Sequence, residues 1–328
     1  MTLRPLIVPV DLGGSPHQTP LHPPLRAAPT PDLVEALVHH YETERRTHPD
    51  QPVEVAFFHG GLPGSDLLAA TRNRTVRVAC LPGDLSLPAL TTLASHQVQT
   101  IELDVGTHCT ATRRAIGRRL SAAALTDLVG GLRDRGFRVG MVLSPGLPGS
   151  SPQDAIDDAV WASQSAKAHF VRLQPALAWR GTLGGQWAGA RRWTPMTVSE
   201  AVTTLESMMD VLDQAGVEIA RVGLQPGPDL AGTVVAGPVH PNLRALVEYR
   251  RFRRRMKTAL AYTPRQREVM LRVHPADLAW AKGEANANIR GLRAELALAA
   301  LTVTVDPTLA RGAVALGRCL PKDERSQG

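Results

Sequence analysis

Hydrophobic and polar positions along the first 240 residues switch repeatedly between two periods. Short apolar runs, typical of buried strands, alternate with stretches in which apolar residues recur at helical spacing. The runs predict strands at residues 6–10, 53–58, 75–80, 100–105, 138–143, 169–173 and 218–224. The periodic stretches predict helices at residues 32–38, 87–95, 121–135, 151–166 and 197–215. Strands that alternate with helices predict parallel βαβ units.

The number of these units favours a closed or nearly closed (β/α) barrel, with an open Rossmann-type sheet as the alternative. Nearly every predicted strand ends in Gly, Pro, His or a polar cluster. In a barrel, the loops after the strands all lie at one face, where ligands bind. We expect the first strand to include Ile7 and Val8. We also expect these loops to place Ser15, His59, Cys80 and Gly106 around one cavity.

Composition excludes several classes of protein. The chain has 328 residues, 43% of them apolar, which is enough for one large core or a core with a small second domain. The sequence has neither a long uninterrupted apolar stretch nor the pattern of a signal peptide, so we predict a cytoplasmic protein with no membrane partner. The three cysteines are far apart, which excludes a disulfide framework and the local zinc and haem motifs.

The positive charge of the chain is concentrated at its C-terminal end. Residues 250–328 carry a net charge of +9, whereas the preceding residues carry −2. The densest run contains Arg251, Arg253, Arg254, Arg255 and Lys257. Such a run is either a solvated helix face or a surface for a polyanion, and the second interpretation predicts RNA or the ribosome as a partner. We therefore expect a barrel domain at residues 1–248 and a basic domain at residues 249–328.

Several short motifs follow one another in order along the chain. The most specific are RVGLQ at residues 221–225 and AGPVHPNLR at residues 236–244. Others are VEVAFFHGG at residues 53–61, GFRVG at 136–140, GLPG at 146–149, VRLQP at 171–175 and RGTL at 180–183. In order and spacing these motifs resemble a bacterial branch of the radical S-adenosylmethionine (SAM) superfamily that is similar to the catalytic subunit of Elongator. The resemblance covers nearly the whole chain and implies an α/β fold, a radical-SAM-type partial (β/α) barrel.

The resemblance also implies a CxxxCxxC loop after the first strand, which would hold a [4Fe-4S] cluster. Here Ser15, Thr19 and His22 stand at the three cysteine positions. A hydroxyl is a hard ligand that stays protonated near neutral pH, so it does not replace a soft thiolate on iron. His22 alone could ligate one iron. We therefore expect no [4Fe-4S] cluster, and the combination of a kept scaffold with a lost cluster motif describes a pseudoenzyme.

The same resemblance assigns a vestigial SAM site to Gly60, Gly61 and Glu102. The two glycines alternatively make only a tight turn, and without a cluster we expect SAM to bind weakly if it binds. Further departures from the family are Gly106, where it has glutamine, and Arg118-Arg119-Leu120 in place of Arg-Gly-His. Cys80 and Cys109 could rewire a cluster or bind zinc, but single cysteines are more commonly small buried hydrophobes.

The tail beyond the barrel has the order strand, helix, turn, helix, strand over residues 271–305. This small α+β order resembles the core of a KH domain, whose GxxG loop approaches single-stranded nucleic acid. The resemblance makes Lys282, Gly283, Asn286 and Arg290 candidate RNA-binding residues. Asn286 replaces the second glycine and tolerates the left-handed conformation, whereas Glu284 adds a negative charge to the turn.

Two functions of different class follow. The first is a non-catalytic protein that binds RNA or the ribosome, or is the protein partner of an active enzyme. The second is a SAM-dependent, RNA-modifying enzyme of radical SAM type with an atypical or absent iron-sulfur cluster. The charge asymmetry favours the first, and bound iron would favour the second.

Overall fold

The computed structural model describes residues 5–12, 28–44, 50–58, 61–224 and 232–321. The chain divides into two compact units, Met1–Pro241 and Asn242–Gly328. Among the residues that the structure describes, none of the helices combines the length and the hydropathy of a membrane span.

The first unit is built on a seven-stranded parallel sheet. Its strands are β1 (Leu6–Asp11), β2 (Val53–Phe58), β3 (Thr75–Cys80), β4 (Val98–Gly106), β5 (Arg138–Leu143), β6 (Phe170–Leu173) and β8 (Glu218–Val222). They pair in sequence order from β1 to β6 and then β8. This order has no reversal point, so the alternative of an open doubly wound sheet is wrong and the partial (β/α) barrel is confirmed. Ile7 and Val8 lie in β1, as expected.

A small antiparallel pair, β7 (Ala178–Trp179) with β9 (Val234–Ala236), was not predicted. The helices of the first unit are α1 (Pro31–Glu44), α2 (Ser65–Ala69), α3 (Leu87–Ser95), α4 (Thr110–Ala115), α5 (Ala122–Asp134), α6 (Pro152–Val160), α7 (Leu183–Gly189) and α8 (Val198–Gln214). One π-helical turn, Trp161–Ser165, extends α6. Capping boxes begin α6 and α8, where Ser151 with Asp154 and Thr197 with Glu200 satisfy amide groups of the first turn.

Gly140 in β5 allows two neighbouring strands to pack closely. A Cβ atom at this position would lie 2.0 Å from Cζ of Phe170 on β6. We expect Gly140→Ala to destabilise the fold by roughly 1–3 kcal/mol, the usual effect of overpacking. The control is Gly130→Ala in α5, which meets no neighbour within 4 Å and should stabilise by about 0.5–1 kcal/mol. Urea denaturation measures both, and equal effects would contradict the packing described here.

The second unit is a small α+β fold. It contains α9 (Leu243–Ala259), β10 (Arg267–Val273), α10 (Leu278–Lys282), α11 (Ala287–Glu295), β11 (Ala300–Val305) and β12 (Val314–Pro321). Its sheet has the order β11-β10-β12, with β10 parallel to β11 and antiparallel to β12. The predicted strand-helix-turn-helix-strand order is therefore present, and β12 is an additional strand. The predicted domain boundary at residues 248 and 249 falls inside α9, whereas the second unit begins at Asn242.

Candidate functional site

The predicted cluster positions Ser15, Thr19 and His22 lie outside the described residues, as do His59 and Gly60. Gly61 has φ +83°, a conformation that glycine adopts without strain. Cys80 and Gly106 end the adjacent strands β3 and β4, so both lie at the carboxyl edge of the sheet. The expected cavity thus has two of its four residues at one edge, and the other two stay a prediction.

A network of four charged side chains joins strands β2, β3, β4 and β6. Arg77 Nη2 lies 2.7 Å from Glu54 Oε2, and Arg77 Nη1 lies 3.6 Å from Glu102 Oε2. Arg172 Nη1 donates to Glu102 Oε1. Glu102 reaches Arg172 past β5, where its register partner Gly140 has no side chain. We call these four residues the charge network.

Glu102 is the centre of the charge network because it is 0% exposed and contacts both arginines. A buried carboxylate of this kind depends on its partners, since an unpaired charge in the interior is costly. Among the described residues, Glu102 Oε2 and Arg77 Nε lack a hydrogen-bond partner. The Glu102 carboxylate is therefore buried between two arginines, and its predicted role toward SAM stays a prediction.

Aromatic rings fill the space beside the charge network. The guanidinium groups of Arg77 and Arg138 lie 5.1 Å and 4.6 Å from the centre of the Phe170 ring. Arg172 lies 5.6 Å from the centre of the Phe58 ring. These are cation–π distances. Charged side chains and phenylalanine rings of the protein thus pack together in this part of the sheet.

A second polar group follows β4, where the chain turns into α4. Arg113 is 2% exposed and donates to the carbonyl oxygens of Val105, Thr107 and Leu120. Burial and the neighbouring charge of Arg118 lower the pKa of Arg113 to about 10. Arg118 Nη2 in turn pairs with Asp104 at 2.9 Å. The two guanidinium groups thus bind backbone carbonyls and a carboxylate at the end of β4 and in the loop after it, which indicates a structural role.

This loop also contacts α6, through residues that the sequence pattern did not indicate. Asp158 Oδ1 accepts hydrogen bonds from Thr107 Oγ1 at 2.9 Å and from the His108 backbone N–H at 2.7 Å, and it lies 2.5 Å from His108 Nδ1. Burial raises the pKa of Asp158 despite these bonds. The His108 ring stacks on Trp161 at 5.5 Å. A signal existed, because Asp158 interrupts an otherwise apolar helix face of Ala155 and Ala159.

The cysteines do not form a metal site in the described part of the chain. No group of three or more His, Cys, Asp or Glu side chains there is arranged to hold a metal ion. Cys80 is buried, and burial raises the pKa of its thiol. Cys109 is partly exposed.

The basic run of the second unit lies on α9, and its members differ in exposure. Arg251 is 2% exposed and its Nη1 lies 3.2 Å from Glu248 Oε2. Its guanidinium is therefore not displayed to a phosphate. Arg255 donates to the Gly312 carbonyl at 3.2 Å and lies over the Phe252 ring. Arg254 and Lys257 are exposed.

One carboxylate on α11 holds two of these cations. Glu295 lies 2.7 Å from Arg253 Nη2 and 2.5 Å from Lys257 Nζ. The hydrogen bond from Lys257 is the main cause that holds the pKa of Glu295 below its usual range. Arg253 also crosses Gly291, where a Cβ atom would lie 2.3 Å from its Nη1. We call Arg253, Arg254 and Lys257 the cationic surface. Glu295 of α11 contacts two of these three cations.

The turn between α10 and α11 has the backbone that the sequence suggested. Gly283 has φ +72°, and Asn286 is left-handed with φ +62°. Asn288 Nδ2 fixes the turn by donating to the carbonyls of Tyr249 and Trp280 at 2.8 Å and 3.2 Å. Arg290 donates to the Ala285 carbonyl, and Lys282 is partly exposed. The turn is therefore ordered and lies close to the start of the cationic surface.

Comparison with known proteins gives the fold. No protein family model and no curated protein matches the chain. The structure is similar to archaeal Methanocaldococcus infernus Elp3 lacking residues 1–46, with 17% identity, a TM-score of 0.59, and coverage of 75% of this chain and 62% of that one. It also matches coproporphyrinogen III oxidase (HemN) from Escherichia coli, a radical SAM enzyme, with 16% identity, a TM-score of 0.47, and coverage of 66% and 54%.

The first of these similarities is one of fold. The chain shares a partial (β/α) barrel with the archaeal Elp3 structure and spans 62% of that chain, less than two thirds of its length. The groups that the sequence resemblance implies are SAM and a [4Fe-4S] cluster. Iron-sulfur clusters are held by thiolates, and serine, threonine and histidine at positions 15, 19 and 22 do not supply that donor set.

Proposed function

We propose that this protein is a non-catalytic relative of radical SAM enzymes that binds single-stranded RNA, free or within the ribosome, through its C-terminal unit. The observation that carries the proposal is the net charge of +9 in residues 242–328, against −2 in the rest of the chain. Phosphate neutralisation by such a surface supplies most of the sequence-independent affinity for nucleic acid.

The contacts of the second unit suggest that its cations have two different roles. Arg253, Arg254 and Lys257 supply charge to phosphates, while Arg251 and Arg255 stabilise the unit through Glu248 and Gly312. The turn of Gly283 to Asn286 resembles a KH loop and would approach the RNA backbone, flanked by Lys282 and Arg290. The similarity to archaeal Elp3 is one of fold.

The second candidate is a SAM-dependent RNA-modifying enzyme without a standard cluster. It is favoured by the partial barrel itself and by the turn at Gly61. Glu102 argues against it, because its carboxylate is buried and bound to Arg77 and Arg172. A protein that is only the partner of an active enzyme would show neither iron nor RNA affinity.

Anaerobic purification distinguishes these functions. We expect the purified chain to lack stoichiometric iron and sulfide and to carry RNA that sequencing identifies. Iron and sulfide in stoichiometric amounts, with charge-transfer absorbance, would support the enzyme instead.

Restoring the thiolates tests the loop directly. We expect the triple variant Ser15→Cys, Thr19→Cys, His22→Cys to bind iron and sulfide after reconstitution, because thiolates are the missing ligands. Absorbance and iron analysis measure the result against the unchanged chain. Equal iron uptake by both proteins would contradict the assignment of these three positions.

A further inference from the structure

We infer that a cavity at the carboxyl end of β5 binds a small organic cation that carries a flat apolar ring. The cavity has a volume of about 490 Å³ and lies between the loop after β5 and the beginning of α8. This volume is within the usual range of roughly 300–1,000 Å³ for small-molecule sites. The inference does not depend on RNA binding, since the cavity lies within the first unit.

The cavity is preformed because its two walls are tied together. Trp193 Nε1 donates to the Gly146 carbonyl at 3.1 Å, which joins the segment before α8 to the loop after β5. Met196 packs against Gly146, whose missing Cβ would lie 2.9 Å from Met196 Sδ. Gly146 also has φ +82°, so a side chain there is disfavoured both by the contact with Met196 and by the backbone conformation. Buried Leu147 and Trp193 give the cavity an apolar wall suited to a flat ring.

The polar side of the cavity favours a positively charged ligand. Among the described residues that line it, Glu200 is the ionisable one, and none is Lys, Arg or His. Glu200 Oε2 accepts hydrogen bonds from the backbone N–H and the hydroxyl of Thr197, both at 2.8 Å. These bonds hold the pKa of Glu200 below its usual range, so the group stays ionised at neutral pH.

The second oxygen of Glu200 is available to a ligand. Oε1 has no hydrogen-bond partner among the described residues, and the side chain is exposed. The hydroxyl of Thr203 lies on the same helix one turn further and donates to the Ser199 carbonyl, which leaves its lone pairs as acceptors. An ammonium group therefore meets acceptors and the negative charge of Glu200, whereas a carboxylate or phosphate is repelled by that charge.

A charge series on one ring tests the inference with the full chain. The probes are tryptamine, N-acetyltryptamine and indole-3-acetate, which carry charges of about +1, 0 and −1 on the same indole. By calorimetry or ligand-observed NMR we expect tryptamine to bind roughly two- to fivefold tighter than the neutral probe, as an exposed ion pair allows. We expect the anion to bind weakest.

Two variants locate the site. Glu200→Gln keeps an oxygen for capping and should remove the preference for tryptamine over the neutral probe. Ser199→Trp should fill the cavity and weaken all three probes, while circular dichroism confirms that each variant is folded. Equal binding of the three probes, a charge preference that survives Glu200→Gln, or no binding at all would overturn the inference.

Discussion

Replacing Glu102 with alanine should lower the free energy of unfolding by about 3–5 kcal/mol, the usual cost of breaking a buried ion pair. Glu102 is fully buried, and its loss leaves Arg172 and Arg77 without their shared carboxylate. Because the total stability of a domain is only about 5–15 kcal/mol, this single change should remove a large part of it.

An exposed ion pair on the same sheet is the matched control. Arg138 and Glu218 lie 2.7 Å apart, with side chains 42% and 45% exposed. Glu218→Ala should therefore change stability by less than about 1 kcal/mol. A double variant, Glu102→Leu with Arg172→Leu, should recover part of the loss because it leaves fewer uncompensated charges. Urea denaturation of the three variants tests this order, and equal effects of Glu102→Ala and Glu218→Ala would contradict the charge network.

The second large effect concerns RNA. Removing Arg253, Arg254 and Lys257 together should lower affinity for single-stranded RNA steeply at low salt. Each lost phosphate contact reduces the slope of log affinity against log salt by about 0.7 for single strands. Three contacts therefore account for about 2 units of slope, or roughly a 20-fold difference between about 50 and 200 mM salt. Filter binding over this salt range measures the change.

A control of equal charge separates location from net charge. Arg119, Arg133 and Arg192 are exposed arginines of the first unit, and replacing them should leave the slope nearly unchanged. Glu295→Gln should act in the opposite direction and raise affinity, because it releases Arg253 and Lys257. Equal loss in both triple variants would show that only the overall charge matters.

The fold could be predicted from the sequence because its pattern is local. Each strand of the sheet is a short apolar run, and the longer helices between strands carry their own periodicity and often their own cap, such as Ser151 or Thr197. The short helices α2, α4 and α7 carry no such pattern and were not predicted. The sequential strand order then follows from the βαβ rule. The strand β12 was missed because Gly317 and Arg318 interrupt its apolar pattern.

The site could be predicted only in part because its contacts are distant in sequence. Glu102 and Arg172 are separated by 70 positions, and His108 and Asp158 by 50. No local pattern pairs them. Arg251 is different, since it lies on the same helix face as Leu243 and Val247, both buried. Helical spacing could have separated it from the exposed arginines of the same run.

The most direct test of the central proposal is the affinity of the full chain for single-stranded RNA as a function of salt. Fluorescence anisotropy with a labelled RNA of mixed sequence should show binding at about 50 mM salt that weakens by at least roughly 10-fold at about 200 mM, as counterion release requires. Absence of binding at about 50 mM salt, where cationic proteins hold polyanions readily, would contradict the proposal.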